Sequence, residues 1–300
     1  MEFKSIFADP ATARRLPSGG VGDFRSGTVY LFSPEMELAL SAAAATQRPL
    51  LVTGPAGCGK SSLARSAAAR LGWRYLERTV NSRTEITSLL WEVDQLRRLQ
   101  DANLKQLDAD LLAYVRPSVI WRALDDLSSR KPQSLRDSEA SRGSALDPAV
   151  VLIDEIDKAD PDLPNNLLEV LGGLRFEVAD TGQFVTCRSG IPLIVITSND
   201  ERDLPPAFVR RCIVLSLKQP DLGRVAALHF PDASGAITAA LTMLADPSMP
   251  APSAAEFLDF IQACNEMEVS PGSEDWLKLA EACVLKGRRT GVPARAPSAG

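Results

Sequence analysis

The sequence predicts an α/β fold, in which a mostly parallel sheet is sandwiched by helices and a small all-helical domain follows. Short, wholly apolar runs alternate with helical stretches up to about residue 217, and this alternation is typical of parallel α/β proteins. After residue 220 the strand pattern stops, and only amphipathic helical stretches follow. The first apolar run leads directly into a glycine-rich segment, which is typical of a ligand-binding turn between a strand and a helix.

The composition is that of an ordinary globular protein, and it argues against several classes of function. The chain has 300 residues and a net charge of -5, and an acidic balance argues against nucleic acid as the main partner. No apolar run approaches the roughly 18 residues of a membrane span, and the opening "MEFKSIFADP" has no signal-peptide core. Five cysteines without a Cys-x-x-Cys pair indicate reduced thiols. We therefore expect a cytoplasmic protein with no membrane partner. The single histidine, His229, argues against a histidine-based metal site or a Ser-His-Asp triad.

The α/β domain begins after an irregular leader at residues 1–30, which is rich in Gly, Pro, Ser and Arg. Residues 33–46 are predicted to be a helix because a serine and a proline stand at its start and alanines fill the rest. Residues 50–53, "LLVT", are short and wholly apolar, as a strand covered on both faces would be. Residues 60–72 have one apolar face and end in a glycine, which predicts a helix.

Three further apolar runs, at 150–153, 193–197 and 213–217, are predicted strands of the same sheet. Residues 84–128 carry helical spacing, as in "LLWEVDQLRRLQ" and "VIWRALDDL", and are unusually long for a crossover connection. Residues 129–148 are polar and poor in apolar side chains, so we expect a mobile surface loop there.

The last third of the chain predicts a second, all-helical domain. Its four amphipathic helices are expected at 221–230, 233–245, 253–264 and 273–285. The predicted organisation is therefore a leader at 1–30, an α/β domain at 31–219, a helical domain at 220–287 and a tail at 288–300.

The segment after the first strand satisfies the P-loop pattern, in which a glycine-rich loop is followed by lysine and a hydroxyl residue. Glycines let backbone N–H groups approach phosphate closely, the lysine reaches the outer phosphates and the hydroxyl binds Mg²⁺. The helix that opens at the lysine adds the positive end of its dipole. The predicted ATP-binding residues are Gly54, Pro55, Ala56, Gly57, Cys58, Gly59, Lys60, Ser61 and Ser62.

A second candidate element lies where the buried run "VVLI" ends in Asp154 and Glu155. A carboxylate at this position can hold a metal ion through water, and its neighbour can polarise an attacking water. Because Asp and Glu commonly begin helices, an ordinary acidic connection explains the same two residues about equally well.

A third apolar run, "LIVIT", ends in Ser198 and Asn199, and an asparagine there could hydrogen-bond the γ-phosphate or the attacking water. Three apolar strands thus end in polar residues suited to phosphate chemistry, and ligands of open α/β sheets bind at the carboxyl ends of strands. Beyond Asn199, "PPAFVRRC" predicts a short helix that ends in Arg210 and Arg211. Two adjacent arginines are more often a solvated surface than a site.

Over residues 33–218 the chain resembles the AAA+ ATPases, specifically their MoxR-like branch. The resemblance lies in "GPAGCGKSSLA", "YVRPSVIWRAL", "VVLIDEIDKADPDLPNNLLEVL" and "IPLIVITSNDERDLPPAFVRRC". It implies that 54–62 is the Walker A segment, Asp154 and Glu155 are Walker B, and Asn199 is sensor 1. It also implies that Arg211 is an arginine finger that enters the neighbouring subunit, so the family works as a ring, usually a hexamer.

The same resemblance assigns roles to other segments and shows two departures. "VIWRAL" falls where this branch inserts a segment into its second helix, and residues 176–187 fall where it places a hairpin. Both inserts face the pore or the client in relatives, and the helices after 220 would be the lid. Pro250-Ala251 stand where relatives carry a basic sensor 2 residue, which leaves Arg224, Lys286 and Arg288 as candidates. Ser118 replaces a usual glycine.

These observations predict an enzyme, an ATP hydrolase that uses Mg²⁺ and acts as a chaperone-like ring to remodel or activate a partner protein. Relatives often act beside von Willebrand A-domain proteins, which are therefore candidate partners. One alternative is a nucleotide-gated scaffold with weak turnover, which the missing sensor 2 charge favours. A second is a DNA-acting motor or loader, although the chain shows no helix-turn-helix pattern and no basic excess. A small-molecule phosphotransferase is disfavoured, because Glu155 with Asn199 suits attack by water and no acceptor pocket is evident.

Overall fold

A computed structural model of the chain describes residues 29–132, 148–245 and 252–285. These residues form two compact units. The first unit contains 32–53 and 61–216, and the second contains 29–31, 54–60 and 217–285. The predicted leader, the predicted mobile loop and the predicted tail fall mostly or wholly outside the described residues.

The first unit is built on a sheet of five parallel strands. The strands are β1 (Leu50–Thr53), β2 (Arg74–Thr79), β5 (Ala149–Asp154), β8 (Leu193–Ser198) and β9 (Ile213–Ser216). Their order in the sheet is β2-β5-β8-β1-β9. The central strands β5, β8 and β1 are almost wholly buried, which is why they read as continuous apolar runs. The four predicted strands are confirmed.

The strand register brings the carboxyl ends of the central strands to one edge of the sheet. Thr53 at the end of β1 pairs with Ser198 at the end of β8. On the other side of β8, Ile196 pairs with Ile153, the residue before Asp154. The polar residues that follow β5 and β8 therefore begin at the same level.

Helices cover the sheet and connect its strands. The helices of this unit are α1 (Pro34–Thr46), α2 (Lys60–Leu71), α3 (Ile86–Leu90), α4 (Gln95–Asn103), α5 (Val119–Leu124), α6 (Asp126–Arg130), α7 (Leu163–Gly173) and α8 (Pro206–Val209). Before α1, the Ser33 side chain accepts a hydrogen bond from the Met36 N–H, which confirms the predicted cap. Lys60, the first residue of α2, is grouped with the second unit.

The prediction of a long helical region at 84–128 is wrong in its middle part. There the chain forms an antiparallel pair of strands, β3 (Trp91–Val93) and β4 (Val115–Pro117), with α4 between them. "VIWRAL" is helix α5, directly after this pair. The physical reason is tertiary, because the Trp91 ring stacks on Phe176 with centroids 5.6 Å apart and its Nε1–H donates to Asp180 at 2.9 Å.

Phe176 and Asp180 belong to the hairpin expected at 176–187. Its strands are β6 (Arg175–Val178) and β7 (Gln183–Thr186), which pair antiparallel. Trp91 of β3 stacks on Phe176, and Trp121 of α5 packs edge-on against the same ring, so one buried aromatic cluster joins β3, α5 and the hairpin.

The second unit is helical, as predicted. Its helices are α9 (Leu222–His229), α10 (Ser234–Leu244), α11 (Ala254–Glu266) and α12 (Glu274–Cys283). They pack around a separate apolar core that includes Phe257, Phe260 and Trp276, and the last two rings meet edge-to-face at 4.8 Å. Among the described residues of both units, no helix is both long and apolar enough to cross a bilayer.

Candidate functional site

Backbone angles favour glycine at three positions of the loop between β1 and α2, which are Gly54, Gly57 and Gly59. Gly54 and Gly57 both have positive φ, at 139° and 73°, which side chains disfavour. A Cβ atom at Gly54 would overlap the Leu217 carbonyl oxygen, and one at Gly57 would overlap the Ser253 side chain. Glycine is therefore favoured at these two positions both by the backbone angles and by the lack of space for a side chain.

Lys60 folds back over this loop. Its side chain is only 6% exposed, and its Nζ donates to the carbonyl oxygens of Gly54 at 2.7 Å and Pro55 at 2.9 Å. Lys60 also begins α2, whose N-terminus supplies free backbone N–H groups and a partial positive charge. The loop therefore combines an ammonium group with backbone donors, which suits a phosphate.

Tyr30 packs against the end of the same loop, which the sequence did not indicate. Its hydroxyl donates to the Gly59 carbonyl at 3.2 Å, and a Cβ at Gly59 would lie 3.4 Å from the ring. Burial raises the pKa of the Tyr30 phenol and also that of the Cys58 thiol. Both groups are therefore neutral near pH 7, and Cys58 packs as a small apolar side chain. Of the other predicted loop residues, Pro55, Ala56 and Ser62 are exposed.

Ser61 contacts the acidic residue that ends β5. Its hydroxyl lies 2.9 Å from Oδ1 and 3.0 Å from Oδ2 of Asp154. The sequence predicted these two residues as the metal pair, and the structure brings them together although 93 positions separate them.

The carboxyl ends of β5 and β8 form what we call the strand-end cluster, which consists of Asp154, Glu155, Asp157, Thr197 and Asn199. Thr197 donates to Asp154 Oδ1 and accepts from the Glu155 N–H at 3.0 Å. Glu155 itself has left-handed backbone angles, φ 62° and ψ 47°. A non-glycine residue in that region costs about 1–2 kcal/mol, so neighbouring contacts must maintain it.

The Glu155 side chain meets two polar partners. Its Oε1 accepts from Lys158 Nζ at 2.9 Å and lies 3.5 Å from Asn199 Nδ2. The hydrogen bond to Glu155 raises the pKa of Lys158. The structure thus brings together the two residues that the sequence assigned to the attacking water.

The backbone at Asn199 is held by a carboxylate that the sequence analysis did not single out. Asp157 is 3% exposed, and its Oδ2 accepts from the N–H groups of Asn199 at 3.1 Å and Glu201 at 3.0 Å. Together with Thr197, this bond ties the turn after β5 to the turn after β8.

Arg210 and Arg211 follow α8, where the buried ring of Phe208 anchors the chain, and both arginines are exposed. Within residues 29–132, 148–245 and 252–285, the Arg211 side chain makes no hydrogen bond or ion pair. The structure of one chain therefore does not bring Arg211 to the strand-end cluster.

A cavity of about 250 Å³ lies in the second unit and is lined by Leu31, Arg224, Ala227 and Leu228. Its walls are mostly apolar, with one arginine. Of the three sensor 2 candidates, Arg224 is thus placed at a cavity, whereas Lys286 and Arg288 lie outside the described residues.

The metal expected at this site is Mg²⁺, and the residues present fit it. Mg²⁺ prefers oxygen ligands and is usually held by one or two carboxylates together with substrate phosphates, and Ser61 and Asp154 supply a hydroxyl and a carboxylate within 3.0 Å of each other. In the part of the chain that the structure describes, no group of three His, Cys, Asp or Glu residues could hold a metal by itself.

Sequence reasoning missed Thr197, Asp157 and Lys158. One signal was present for Thr197, because it is a polar residue that follows four apolar residues of a buried strand, and buried polar groups need partners. For Asp157 and Lys158 the sequence offered only an acidic turn.

The fold and the loop define a P-loop protein of the ATP-binding α/β class. The family model described as the AAA domain of the dynein-related subfamily matches residues 49–212. This is more than half of the chain, and the chain belongs to that family.

Solved structures that match this chain include a point mutant of RuvB from Thermotoga maritima, at 15% identity and a TM-score of 0.45, with 83% of this chain and 68% of that chain covered. Another is a provisionally assigned ATPase from Cytophaga hutchinsonii, at 13% identity and a TM-score of 0.39, with 62% of this chain and 46% of that chain covered. Among proteins with curated functions, no sequence relative was found.

Proposed function

We propose that this chain is an ATP hydrolase that works as a ring of identical subunits and uses Mg²⁺-dependent turnover to remodel or activate a partner protein. The observation that carries the proposal is the strand-end cluster. It holds Asp154, Glu155 and Asn199 at the ends of two adjacent parallel strands, with Ser61 in contact with Asp154. A protein that only bound nucleotide would not need a carboxylate beside an amide at that edge.

Each residue has a distinct role in this proposal. Lys60, directly before Ser61 in the chain, neutralises charge on the outer phosphates, and Ser61 and Asp154 hold Mg²⁺. When bound, Mg²⁺ supplies charge stabilisation on the phosphoryl oxygens. Glu155 accepts the proton of the attacking water, and the Asn199 amide orients that water.

The cavity lined by Leu31, Arg224, Ala227 and Leu228 is the site we propose for the adenine base. Its apolar walls suit the faces of a purine. Arg224 can hydrogen-bond or stack there, and it is the sensor 2 candidate that we favour.

The proposals of a ring and of a partner protein are supported by different observations from those that support hydrolysis. Arg211 is exposed and has no partner within the described part of one chain, which suits a residue that serves the site of a neighbouring subunit. We place the chain in the MoxR-like branch by its motifs, expect a cytoplasmic hexamer, and propose a von Willebrand A-domain protein as a candidate partner.

One observation favours a second function, that of a nucleotide-gated scaffold with weak turnover. Lys158 Nζ donates to Glu155 Oε1 at 2.9 Å, so this oxygen must release the ammonium group before it can accept a proton from water. In this second function the ring assembles on ATP but hydrolyses it slowly.

The test is the substitution Glu155→Gln, which keeps the hydrogen-bonding shape and removes the basicity. We expect Mg-ATP binding and ring assembly to persist while hydrolysis falls by at least ~10²-fold. Binding is measured with a fluorescent ATP analogue, assembly by sedimentation and hydrolysis by phosphate release without any added acceptor. Glu169→Gln, at an exposed glutamate of α7, is the matched control.

Loss of ATP binding in Glu155→Gln would show that Glu155 holds the nucleotide or the metal and would overturn its assignment. Equal rates in Glu155→Gln and the control, with the wild-type rate near background, would select the scaffold. A partner protein should bind the Glu155→Gln ring when ATP is present and should not bind the Lys60→Ala variant, which cannot hold ATP. Binding of equal strength with and without ATP would contradict remodelling.

A further inference from the structure

Thr197 carries a buried hydroxyl to which the proposed mechanism assigns no role. It is the next-to-last residue of β8 and only 1% exposed, and the four residues that precede it in the strand are buried and apolar. Valine or isoleucine would fill such a position without a polar group to satisfy. The hydroxyl therefore needs a specific explanation.

The hydroxyl makes two bonds, and they go to the two acidic residues of the site. It donates to Asp154 Oδ1 and accepts from the Glu155 N–H at 3.0 Å. A threonine hydroxyl has one proton and two lone pairs. It can therefore donate its proton to Asp154 and accept the Glu155 N–H on a lone pair at the same time.

The first bond fixes a carboxylate. Asp154 Oδ1 receives both the Thr197 hydroxyl and the Ser61 hydroxyl, the latter at 2.9 Å. Donors on two sides of one oxygen restrict rotation of the carboxylate plane. Its orientation toward the metal position is then set before a metal arrives.

The second bond fixes a strained turn. Glu155 has φ 62° and ψ 47°, the left-handed conformation that a glutamate seldom adopts. Its N–H is anchored to Thr197, which is on a different strand. If the anchor were lost, the backbone could relax toward ordinary angles, and the Glu155 carboxylate would turn away from Asn199.

We propose that Thr197 is a positioning residue, whose single hydroxyl aligns Asp154 for Mg²⁺ and holds the Glu155 backbone in the conformation that aims its carboxylate at the attacking water. The proposal rests on the function proposed above. It differs from a packing role, because packing depends on the shape of the side chain and positioning depends on the oxygen.

The test compares Thr197→Val, which keeps the shape and removes the hydroxyl, with Thr197→Ser, which keeps the hydroxyl. Ser66→Ala is the control for losing a buried hydroxyl, because Ser66 Oγ has no hydrogen-bond partner among the described residues. The primary readout is binding of a fluorescent ADP analogue by anisotropy, in EDTA and across a Mg²⁺ titration. Turnover and thermal unfolding are measured in parallel.

We expect Thr197→Val to bind the analogue in EDTA like wild type and to need about 10–100-fold more Mg²⁺ for the metal-dependent gain in binding, which is the usual effect of losing an outer-shell partner. Its kcat should fall while the KM at saturating Mg²⁺ changes little. Thr197→Ser and Ser66→Ala should follow wild type in both readouts.

Three results would overturn the proposal: an unchanged Mg²⁺ titration in Thr197→Val, a Thr197→Ser variant as defective as the valine, or equal loss of binding with and without Mg²⁺. Thr197→Ala is a second hydroxyl-free variant in case valine does not fold. If neither folds while Thr197→Ser does, the hydroxyl serves folding and positioning is wrong. A wild-type protein that binds Mg-nucleotide but does not hydrolyse it would refute the proposed function alone, since the Mg²⁺ titration would still decide the role of Thr197.

Discussion

The strand-end cluster and the arginine pair after α8 are both polar, but their surroundings differ sharply. In the cluster, Asp157 and Thr197 are buried, and hydrogen bonds of 3.0–3.1 Å tie the turn after β5 to the turn after β8. Arg210 and Arg211 are exposed and directly follow α8, whose buried Phe208 ring anchors the backbone.

The difference agrees with the division proposed above, in which one chain supplies the strand-end cluster and a neighbouring chain supplies Arg211. Groups that must be aligned within a few tenths of an ångström are held by buried bonds inside one chain, where the low dielectric makes each bond strong. A residue that reaches the site of a neighbouring subunit needs a fixed backbone and a side chain without partners in its own subunit.

The largest effect is expected from Arg211→Ala. If the residue serves a neighbour's site as an arginine finger, its loss should lower turnover by roughly 10³–10⁵-fold while ATP binding persists. Lys60→Ala should lose ATP binding but keep the arginine. Mixed rings contain interfaces in which the Arg211→Ala subunit binds ATP and the Lys60→Ala subunit supplies Arg211. Activity should therefore return, with a maximum that depends on the mixing ratio.

Arg210→Ala is the matched control, since it removes the neighbouring charge from the same exposed segment. It should keep most of the turnover. If mixing restores no activity, although labelled subunits are shown to exchange, then Arg211 does not act between chains and the comparison fails.

A smaller effect is expected from Asp157→Ala, which removes the acceptor for two backbone N–H groups, those of Asn199 and Glu201. Displacement of a positioned group by about 1 Å can cost ~10²-fold in rate, so turnover should fall by up to about that factor. Asp157→Asn keeps an oxygen acceptor in the same place and should recover much of the loss.

The readout for Asp157 is kcat beside nucleotide affinity and thermal unfolding. Leaving the two buried N–H groups unpaired should also destabilise the fold by about 1–3 kcal/mol. A variant that loses stability but keeps the wild-type kcat would show that Asp157 supports the fold and not the position of Asn199.

The smallest effect is expected from Lys158→Ala. Lys158 and Glu155 form a partly exposed ion pair at 2.9 Å, and such pairs contribute about 0.2–1 kcal/mol. Releasing Glu155 should therefore raise the basal rate by no more than about fivefold. Lys158→Arg should keep the wild-type rate. A lower rate in Lys158→Ala would show that the lysine assists turnover and would remove the argument for a weakly active scaffold.

Some features were predictable because their signal is local. The glycines, lysine and hydroxyl of residues 54–62 are adjacent in the chain, and Gly54 and Gly57 are favoured there by backbone angles and close contacts. The buried strands and the helices after residue 220 followed from apolar runs and helical spacing. In each case the residues that carry the pattern are neighbours in sequence.

Strand β2 shows why some elements could not be predicted from the sequence pattern. "RYLERT" is charged because β2 lies at the edge of the sheet and pairs only with β5. Its charged side chains are satisfied laterally, by Glu77 with Arg65 at 3.0 Å and Arg78 with Glu92 at 2.9 Å. Such partners are set by the fold, so an edge strand can lack the apolar pattern of a central one.

Local sequence patterns were therefore enough to predict the phosphate loop, the central strands and the helical second unit, and to mark Asp154, Glu155 and Asn199 as site candidates. They could not predict that Thr197 joins Asp154 to Glu155, that Asp157 holds the Asn199 backbone, or that β3 and β4 interrupt the helical region, because these features depend on tertiary contacts. The hydrogen bonds of Thr197 and Asp157 to the opposite turn span 42 to 44 positions. Propensity and periodicity act over a few residues, whereas a hydrogen bond between parallel strands depends on the register of the sheet, which no local pattern specifies.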